Sequence, residues 1–562
     1  MWVLIEIGVE MTQERLMPNF VHQFVAPVHY FGEEEAKFEW EEPEESAEVF
    51  LHTSSYENFK NDDCLFLFGR RGTGKTAIMR MLDYEINNDL YDQYNCSFIL
   101  DQEEAYNELA IQLRGSPIGE LPDTELVHFL KKKWKWLILV SAMIGTHKKY
   151  SNKNIENEKL NVIQKYLVEM RLLNEDNIGV DSIWSRVTDI IQQSLVKIEY
   201  SPIKLGLAIS DVVKEINSTS YKQAETALEN FLLKENFKCM VLIDSIEQYR
   251  LNDKISAAVL TALIETVRLL YGERLNRRVL CKAAFPSEIY PKLTVVNRGK
   301  VEAKNLFILW RYKDLVCLLA KRHYQKFSKG LDKAKLAELD DYKDSRKWLL
   351  GYLPEKIVTG QGIYFDTISY IIRHTQKKPR QVIQLFNIIQ TFAEQEKVSV
   401  RTSEKGFINK CVHARLDILV AGALDIMEQA YESADKITRT VLNRVPCMFF
   451  GTDLYSYIKE VSAIRKRENY TSDDVADILL QAGVIGIECN RHKWIKKVEL
   501  VEGLFEYQIK NTLRIDKDTK VVLHPMFYQE LHAVIDTTKY VYPMPIEDEE
   551  KDVLLKEGIR LA

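Results

Sequence analysis

The chain has 562 residues, of which 46% are apolar and 28% charged, and its formal net charge at pH 7 is −6. This composition is typical of a globular protein with about three or four domains, and the charge argues against a dedicated nucleic-acid binder without excluding a local basic patch. The eight cysteines form no C-x-x-C pair and the histidines show no metal-ligand spacing, so we expect reduced thiols and no metal site apart from a nucleotide-bound one. The N-terminus lacks a basic region and the longest apolar run covers only 136–145, which predicts a cytoplasmic protein without a signal peptide or membrane contact.

An acidic stretch at 33–48 precedes the first motif, and we interpret it as a solvated face or loop. The motif is "GRRGTGKT", which follows the apolar segment Cys64–Phe68 and leads into an amphipathic segment. It matches the phosphate-binding pattern G-x-x-x-x-G-K-[ST] at every fixed position. The residues predicted to hold a nucleotide are Gly69, Arg70, Arg71, Gly72, Thr73, Gly74, Lys75, Thr76 and Ala77.

The chemistry of this pattern follows from the charge density of a triphosphate. Glycines allow backbone N–H groups to converge on the phosphates, and the N-terminus of the following helix adds partial positive charge. Lys75 can then bridge the terminal phosphates of ATP while the Thr76 hydroxyl helps to hold Mg²⁺. The alternative is an ordinary strand, turn and helix, but that would not require a lysine and a hydroxyl directly after the last glycine.

The segments after this loop predict a doubly wound parallel sheet. "CSFIL" at 96–100 has strand character, 103–235 is helical in pattern, and the apolar run 240–243 ends at Asp244. A further strand is predicted at 278–285. Parallel sheets present ligand-binding groups at the carboxyl ends of their strands, so Asp244 is a candidate site residue.

The remainder is first helical and then mixed. We expect a long helix at 403–431, then three short helices, and strands at 484–488, 504–510 and 519–527, which is the layout of a winged-helix domain. The predicted fold is an α/β P-loop core with a large helical insertion, a helical lid and a C-terminal winged-helix-like α+β domain. The predicted divisions are an acidic N-terminal segment at 1–50, a core at 51–300 with its insertion at 103–235, a lid at 301–432, a winged-helix-like domain at 433–545 and a charged tail at 546–562.

Three segments together resemble the AAA+/STAND branch of P-loop ATPases: "GRRGTGKT", "VLIDSIEQY" and "KKPRQVIQLFN". Bacterial ATPases with a C-terminal winged-helix-like region, some of them in stress or anti-phage defence systems, and the origin-recognition ATPases share this layout. The resemblance covers about residues 45–535 and implies an ATPase that uses ATP and Mg²⁺.

The resemblance also implies roles for single residues. Asp244 matches the aspartate that supports Mg²⁺ through water, although it could be a simple strand-terminal cap. The family places a glutamate next, where this chain has Ser245, and the nearest acid is Glu247. Glu247 could orient the attacking water, or the protein could bind ATP and hydrolyse it slowly.

Other matches lie further along the chain. Arg380 matches the lid arginine that reaches the γ-phosphate, with a solvated arginine at a helix start as the alternative. Ser287 lies where the family has a polar γ-phosphate sensor, and Arg277 or Arg278 could act on a neighbouring subunit.

Two regions are candidate nucleic-acid sites. "KKKWKW" at 131–136 mixes charge with aromatic residues but adjoins an apolar helix, which favours lysine stems lying along a buried flank. Residues 434–536 contain 15 Lys+Arg and 15 Asp+Glu, and the expected recognition helix, "TSDDVADILLQAG", is acidic. We therefore favour protein contact over DNA for this domain.

The leading hypothesis is a regulatory ATPase that assembles with itself on binding ATP and controls a separately encoded effector, as in anti-phage defence. The alternative is an origin-recognition-like, DNA-binding ATPase. A metabolic kinase is a weaker third hypothesis, because Asp244 lies 169 positions after Lys75 and a compact phosphotransferase has no need of such an insertion.

Overall fold

The structure is a computed structural model, and the residues that it describes are 29–100, 113–114, 119–151, 157–173, 218–244, 254–272, 278–288, 290, 293–328, 332–360, 362–404, 406–494, 497–508, 513–556 and 558–559. Three short helices come first: α1 (Ala36–Glu39), α2 (Pro43–Val49) and α3 (Ser54–Lys60). The elements of the core follow: β1 (Phe66–Gly69), α4 (Lys75–Asn87), β2 (Cys96–Leu100), α5 (Asp123–Ser151), α6 (Glu158–Glu169), α7 (Thr219–Lys234), β3 (Cys239–Ile243), α8 (Lys254–Gly272), β4 (Val279–Pro286), α9 (Arg298–Glu302) and β5 (Asn305–Phe307).

The core sheet has five parallel strands in the order β2-β3-β4-β1-β5. Strands β1, β3 and β4 are buried throughout, as expected for near-continuous apolar runs covered by helices on both faces. The strands predicted at 96–100 and 278–285 are therefore confirmed. The three residues of β5 had no predicted strand, and they extend the core sheet beyond the predicted boundary at residue 300.

The insertion contributes core helices rather than a surface appendage. Trp134 and Trp136 of α5 are buried, and the Trp134 indole N–H donates to the Val259 carbonyl at 3.0 Å. The interpretation of "KKKWKW" as a buried flank is thus confirmed. Helix α8 is long and apolar enough to cross a membrane by composition, but it lies buried against α5 and β4. Residues 174–217 of the insertion lie outside the described part of the chain.

The lid elements are α10 (Tyr312–Phe327), α11 (Lys333–Glu338), α12 (Tyr342–Tyr352), β6 (Lys356–Val358), β7 (Tyr364–Asp366), α13 (Thr367–Arg373), α14 (Pro379–Glu396), α15 (Phe407–Ala414) and α16 (Leu416–Ala430). The prediction of one helix over 403–431 is wrong, because α15 and α16 are separated at Arg415, whose φ of −137° is not helical. The hairpin β6–β7 was not predicted either.

The C-terminal elements are α17 (Ala434–Val441), β8 (Met448–Phe450), α18 (Gly451–Tyr457), α19 (Ser462–Glu468), α20 (Ser472–Gln481), β9 (Ile485–Lys493), β10 (Glu499–Leu504), β11 (Lys520–Leu523), β12 (Lys539–Tyr542) and α21 (Asp548–Lys556). They form a mixed sheet in the order β12-β10-β9-β11-β8, larger than the predicted hairpin. The strand predicted at 504–510 is wrong over 505–508, because Glu506–Gln508 form a 3₁₀ turn, and residues 509–510 lie outside the described residues. A winged-helix assignment remains a prediction.

The lid and the C-terminal region share one apolar core. Phe365 of β7 packs against Trp494 and Tyr540, with ring centroids 5.4 and 5.1 Å apart. The Arg373 guanidinium donates to the Val541 carbonyl at 2.7 Å. The predicted boundary between residues 432 and 433 therefore does not divide two cores.

The segment predicted as a charged tail begins with structure that packs on the lid. Glu547 accepts the Tyr312 backbone N–H at 2.9 Å and pairs with Lys377 at 2.6 Å. Glu550, on α21, is buried and hydrogen-bonds to Tyr542. The contacts of Glu547 hold this segment beside the start of helix α10.

Candidate nucleotide site

The glycine-rich loop joins β1 to α4 at the carboxyl edge of the sheet. Gly72 and Gly74 have φ values of +84° and +91°, in the left-handed region that side chains disfavour. A Cβ on Gly72 would also lie 3.1 Å from the Arg380 Cβ. Helix α4 begins at Lys75, so its free N–H groups face the loop. This is the local geometry that phosphate-binding loops require.

Lys75 lies inside this loop. Its side chain is 3% exposed, and its ammonium donates to the Arg70 carbonyl at 3.3 Å. The same carbonyl accepts the Thr73 hydroxyl at 2.7 Å. The Trp310 indole N–H donates to the Thr73 carbonyl at 2.9 Å, which ties the loop to the start of the lid. The lysine is thus held where anionic groups entering the loop would meet it.

The neighbouring strand ends bring three acidic or polar residues to this edge. The Asp244 backbone N–H donates to Leu100 at 2.8 Å, and its side chain is 1% exposed at the end of β3. The Ser287 backbone N–H donates to the Gly69 carbonyl at 3.2 Å. Glu288 accepts the Arg71 backbone N–H at 3.3 Å. Glu288 was not among the predicted residues, and its only signal was its place directly after Ser287.

The predicted Mg²⁺ ligands are chemically suitable. The Thr76 hydroxyl is on the first turn of α4, and the Asp244 carboxylate ends a strand two places away from β1 in the same sheet. Hydroxyl and carboxylate oxygens are the ligands that Mg²⁺ prefers. Glu247 and Arg277 lie outside the described residues. Arg278 is described, but it lies at the amino end of β4 and donates to Asn236 at 2.7 Å.

Arg380 lies where the loop, the lid and the N-terminal segment meet. Its backbone N–H is 3.4 Å from the Gly72 carbonyl, and its guanidinium donates to the Glu34 carbonyl at 3.4 Å. A long ion pair of 3.8 Å joins it to Glu35. Its predicted contact with a γ-phosphate remains a prediction, although its position beside Gly72 suits it.

The acidic stretch is not a solvated loop. It folds into α1 and α2, with Trp40, Ser46 and Val49 buried. Glu41, Glu42, Glu44 and Glu45 are exposed, so the predicted solvated face is confirmed for these glutamates. Glu39 pairs with Arg322 of the lid at 3.3 Å. Together with the loop, these helices enclose a cavity of about 120 Å³ that Lys75 and Thr76 line. We call this the front cavity.

A second cavity, of about 880 Å³, lies between the loop, the lid and the C-terminal region. We call it the rear cavity. It is lined by Arg70, Ser287, Glu288, Lys378 and Glu506, among others. The Arg70 guanidinium donates to the Gln481 carbonyl at the end of α20, so the glycine-rich loop contacts the C-terminal region directly. Burial raises the pKa of Glu506 to about 7, although Arg70 opposes this shift.

Lys378 is the most unusual charge in the rear cavity. It is 4% exposed, and its ammonium has no hydrogen bond or ion pair with any residue that the structure describes. Burial, together with the positive charges of Arg70, Lys75 and Arg380, lowers its pKa to about 7, and Glu288 opposes this shift. The sequence showed "KKPR" as a basic cluster but did not indicate which lysine would be buried.

Residues 34–102 match the ORC-CDC6-like family model. This range covers the acidic stretch, the glycine-rich loop and β2. No curated protein sequence matches the chain.

Similar solved structures include Aeropyrum pernix ORC1 in complex with DNA (12% identity, 91% of this chain and 92% of that chain, TM-score 0.29) and Drosophila ORC bound to DNA (9% identity, 93% and 96%, TM-score 0.25). A third is Aeropyrum pernix ORC2 in ADPNP-ADP complexes (11% identity, 89% and 94%, TM-score 0.28). At these TM-scores the superpositions do not establish a common overall fold.

Proposed function

We propose that the protein is an ATP-binding P-loop ATPase whose nucleotide state is passed to its C-terminal region. The observation that supports this most strongly is the glycine-rich loop, with two left-handed glycines and Lys75 held inside it at the carboxyl edge of a parallel sheet. The ORC-CDC6-like match, which covers the same residues, agrees with this proposal. The apolar lining of the front cavity, which includes Trp40, Phe50 and Ile78, suits a nucleobase.

The front cavity must enlarge to admit a whole nucleotide. Its volume of about 120 Å³ is below the 300–1,000 Å³ typical of ligand pockets. The acidic stretch closes it through polar contacts with the lid, among them the pairs of Glu39 with Arg322 and of Glu35 with Arg380, and a hydrogen bond from Gln384 to Glu34 at 2.6 Å. Opening the site would therefore require α1 and α2 to break these contacts and move away from the lid.

The proposed chemistry uses residues of this chain in distinct roles. Lys75 binds the terminal phosphates, and Thr76 and Asp244 would hold Mg²⁺, which neutralises charge on the phosphates. If Glu247 orients the attacking water, Glu247→Gln should keep ATP binding and lose hydrolysis. If the unmodified protein hydrolyses ATP slowly, ATP binding rather than hydrolysis would determine its state.

The decisive test is Lys75→Ala. We expect nucleotide binding to fall by at least about 100-fold, because the backbone alone cannot neutralise a triphosphate. A fluorescent ATP analogue measures this, with Lys326→Ala, an exposed lysine of α10, as the control. Wild-type affinity in Lys75→Ala would refute the site.

We further propose that the output is DNA binding of the origin-recognition kind rather than control of an effector, on the ground of the family match. Helix α20 does not suit major-groove recognition, because half of its residues are buried and its first turn is acidic, with Asp474 accepting the backbone N–H of the N-cap Thr471. The exposed face of α19, which contains Arg465, Lys466 and Arg467, is the better candidate for a phosphate contact.

Duplex affinity measured against salt concentration with ATP present tests this proposal. A steep decrease with salt, reduced in Lys466→Ala, is expected if phosphates are bound. Absence of DNA binding, together with ATP-dependent self-association in mass photometry, would instead support the effector hypothesis.

A further inference from the structure

The rear cavity contains a buried cation, Lys378, that makes no direct contact with a carboxylate among the described residues. Burying an ammonium without a partner is costly, and proteins usually pair or neutralise such a group. Lys378 is 4% exposed and forms no hydrogen bond or ion pair among the described residues, whereas its neighbour Lys377 pairs with Glu547 at 2.6 Å. This cost therefore applies to Lys378, beside the glycine-rich loop, and not to Lys377.

Titratable groups face Lys378 from several elements of the fold. Arg70 and Lys75 face it from the loop, Glu288 from the end of β4, Arg380 from its own helix and His524 from the C-terminal region. Arg70, Lys75 and Arg380 are the cations among these groups, whereas burial lowers the pKa of His524 to about 3 and leaves it neutral near pH 7. Glu288 is already bound to the Arg71 backbone N–H, and of two further carboxylates that line the cavity, Glu547 pairs with Lys377 while burial raises the pKa of Glu506 to about 7. The surroundings therefore favour an added anion.

We propose that Lys378 is a second phosphate-binding cation, which reaches the terminal phosphate of a bound nucleoside triphosphate from the rear cavity while Lys75 binds from within the loop. This inference rests on the proposed nucleotide site and goes beyond it, because it assigns the discrimination between triphosphate and diphosphate to a lid residue outside the matched family segment. The phosphate supplies the missing partner, and the lid is drawn onto the loop.

Proton uptake distinguishes this role from a structural one. The pKa of Lys378 is about 7 without ligand, and an adjacent phosphate raises it, so ATP binding near pH 7.5 takes up a fraction of a proton. ATP affinity consequently falls as pH rises above about 7. A lysine that only supports the fold would produce neither effect.

The experiment is isothermal titration calorimetry of the full-length chain with ATP and with ADP, at pH 7.5, in two buffers of different ionisation enthalpy. We expect Lys378→Met to weaken ATP binding by at least about 10-fold, to change ADP binding by less than about 2-fold and to abolish proton uptake. Lys378→Arg should keep ATP affinity within about 3-fold without proton uptake, because arginine stays charged. Lys377→Gln is the matched control and should keep the wild-type affinities for ATP and ADP and the wild-type proton uptake.

Two results would overturn the proposal. The first is unchanged ATP affinity and proton uptake in Lys378→Met, and the second is an equal loss for ATP and ADP, which would deny the terminal-phosphate contact. In either case, if the wild type binds ATP and Lys75→Ala does not, the proposed nucleotide site still stands. Failure of the wild type to bind any nucleotide would instead refute the proposed function.

Discussion

Two lysine-rich segments, "KKKWKW" at 131–136 and "KKPR" at 377–380, are similar in sequence and different in environment. In the first, Lys131 pairs with Glu265 at 2.9 Å and the tryptophans fill the core. In the second, Lys377 is paired but Lys378 is buried beside the glycine-rich loop with no direct partner among the described residues. A basic cluster thus stabilises the fold where its charges find partners, and it is a candidate ligand site where one does not.

The largest effect should come from the core of the first segment. Trp134→Ala is expected to lower the free energy of unfolding by about 3–5 kcal/mol, since a buried indole and its hydrogen bond to Val259 are both lost. ATP affinity should stay within about 2-fold, because Trp134 lines neither cavity. Urea unfolding and ATP titration measure the two effects, and Trp134→Phe, which keeps most of the apolar volume, is the control. If folded Trp134→Ala lost its affinity for ATP, the first segment would not have the purely structural role that we assign to it.

The second segment should respond in the opposite direction. Lys378→Met is expected to stabilise the nucleotide-free protein below pH 7 by about 2–5 kcal/mol, because it removes a buried charge. The folded-state pKa, about 7, lies below the unfolded value of about 10.4, so the unfolded chain binds more protons between these values. Wild-type stability therefore rises with pH across this window, and the advantage of the variant disappears near pH 10.

Thermal unfolding midpoints at pH 6, 8 and 10 test this prediction without nucleotide. Lys377→Gln is again the comparison, and it should be destabilised because Glu547 loses its partner. A variant Lys378→Met that is less stable than the wild type at pH 6 would indicate that the ammonium has a stabilising partner.

The sequence predicted those parts of the fold that long apolar runs and a fixed motif define. Strands β2, β3 and β4 were located because buried parallel strands are continuously apolar, and parallel geometry then placed Asp244 and Ser287 at the edge of the glycine-rich loop. Strand β5 was missed because three residues are too few to show a period. The acidic stretch was misinterpreted because its charges hid the inward-facing Trp40 and Val49.

The site was predicted less completely than the sheet. Glu288 and Lys378 became candidates only because the folded chain buries them beside the glycine-rich loop. A linear pattern does not reveal which residue of "KKPR" faces inward. The lid and the C-terminal region share a core through aromatic contacts far apart in sequence, so the predicted boundary between them had no local signal to contradict it.

The smallest expected effect compares two adjacent lysines within the first segment. Lys131→Met should lower the free energy of unfolding by about 1 kcal/mol, since its pair with Glu265 is partly buried, with side-chain exposures of 25% and 7%. Lys132→Met should change stability by no more than about 0.5 kcal/mol, because Lys132 is exposed. Glu265 keeps a weak hydrogen bond from the Val296 N–H at 3.4 Å, which limits the cost of losing the lysine.

A double-mutant cycle with Glu265→Gln isolates the pair, and its coupling energy should decrease only modestly in 0.5 M salt because burial shields the pair from screening. Equal effects of Lys131→Met and Lys132→Met would show that the pair adds nothing, and the first segment would then stabilise the fold through its tryptophans alone.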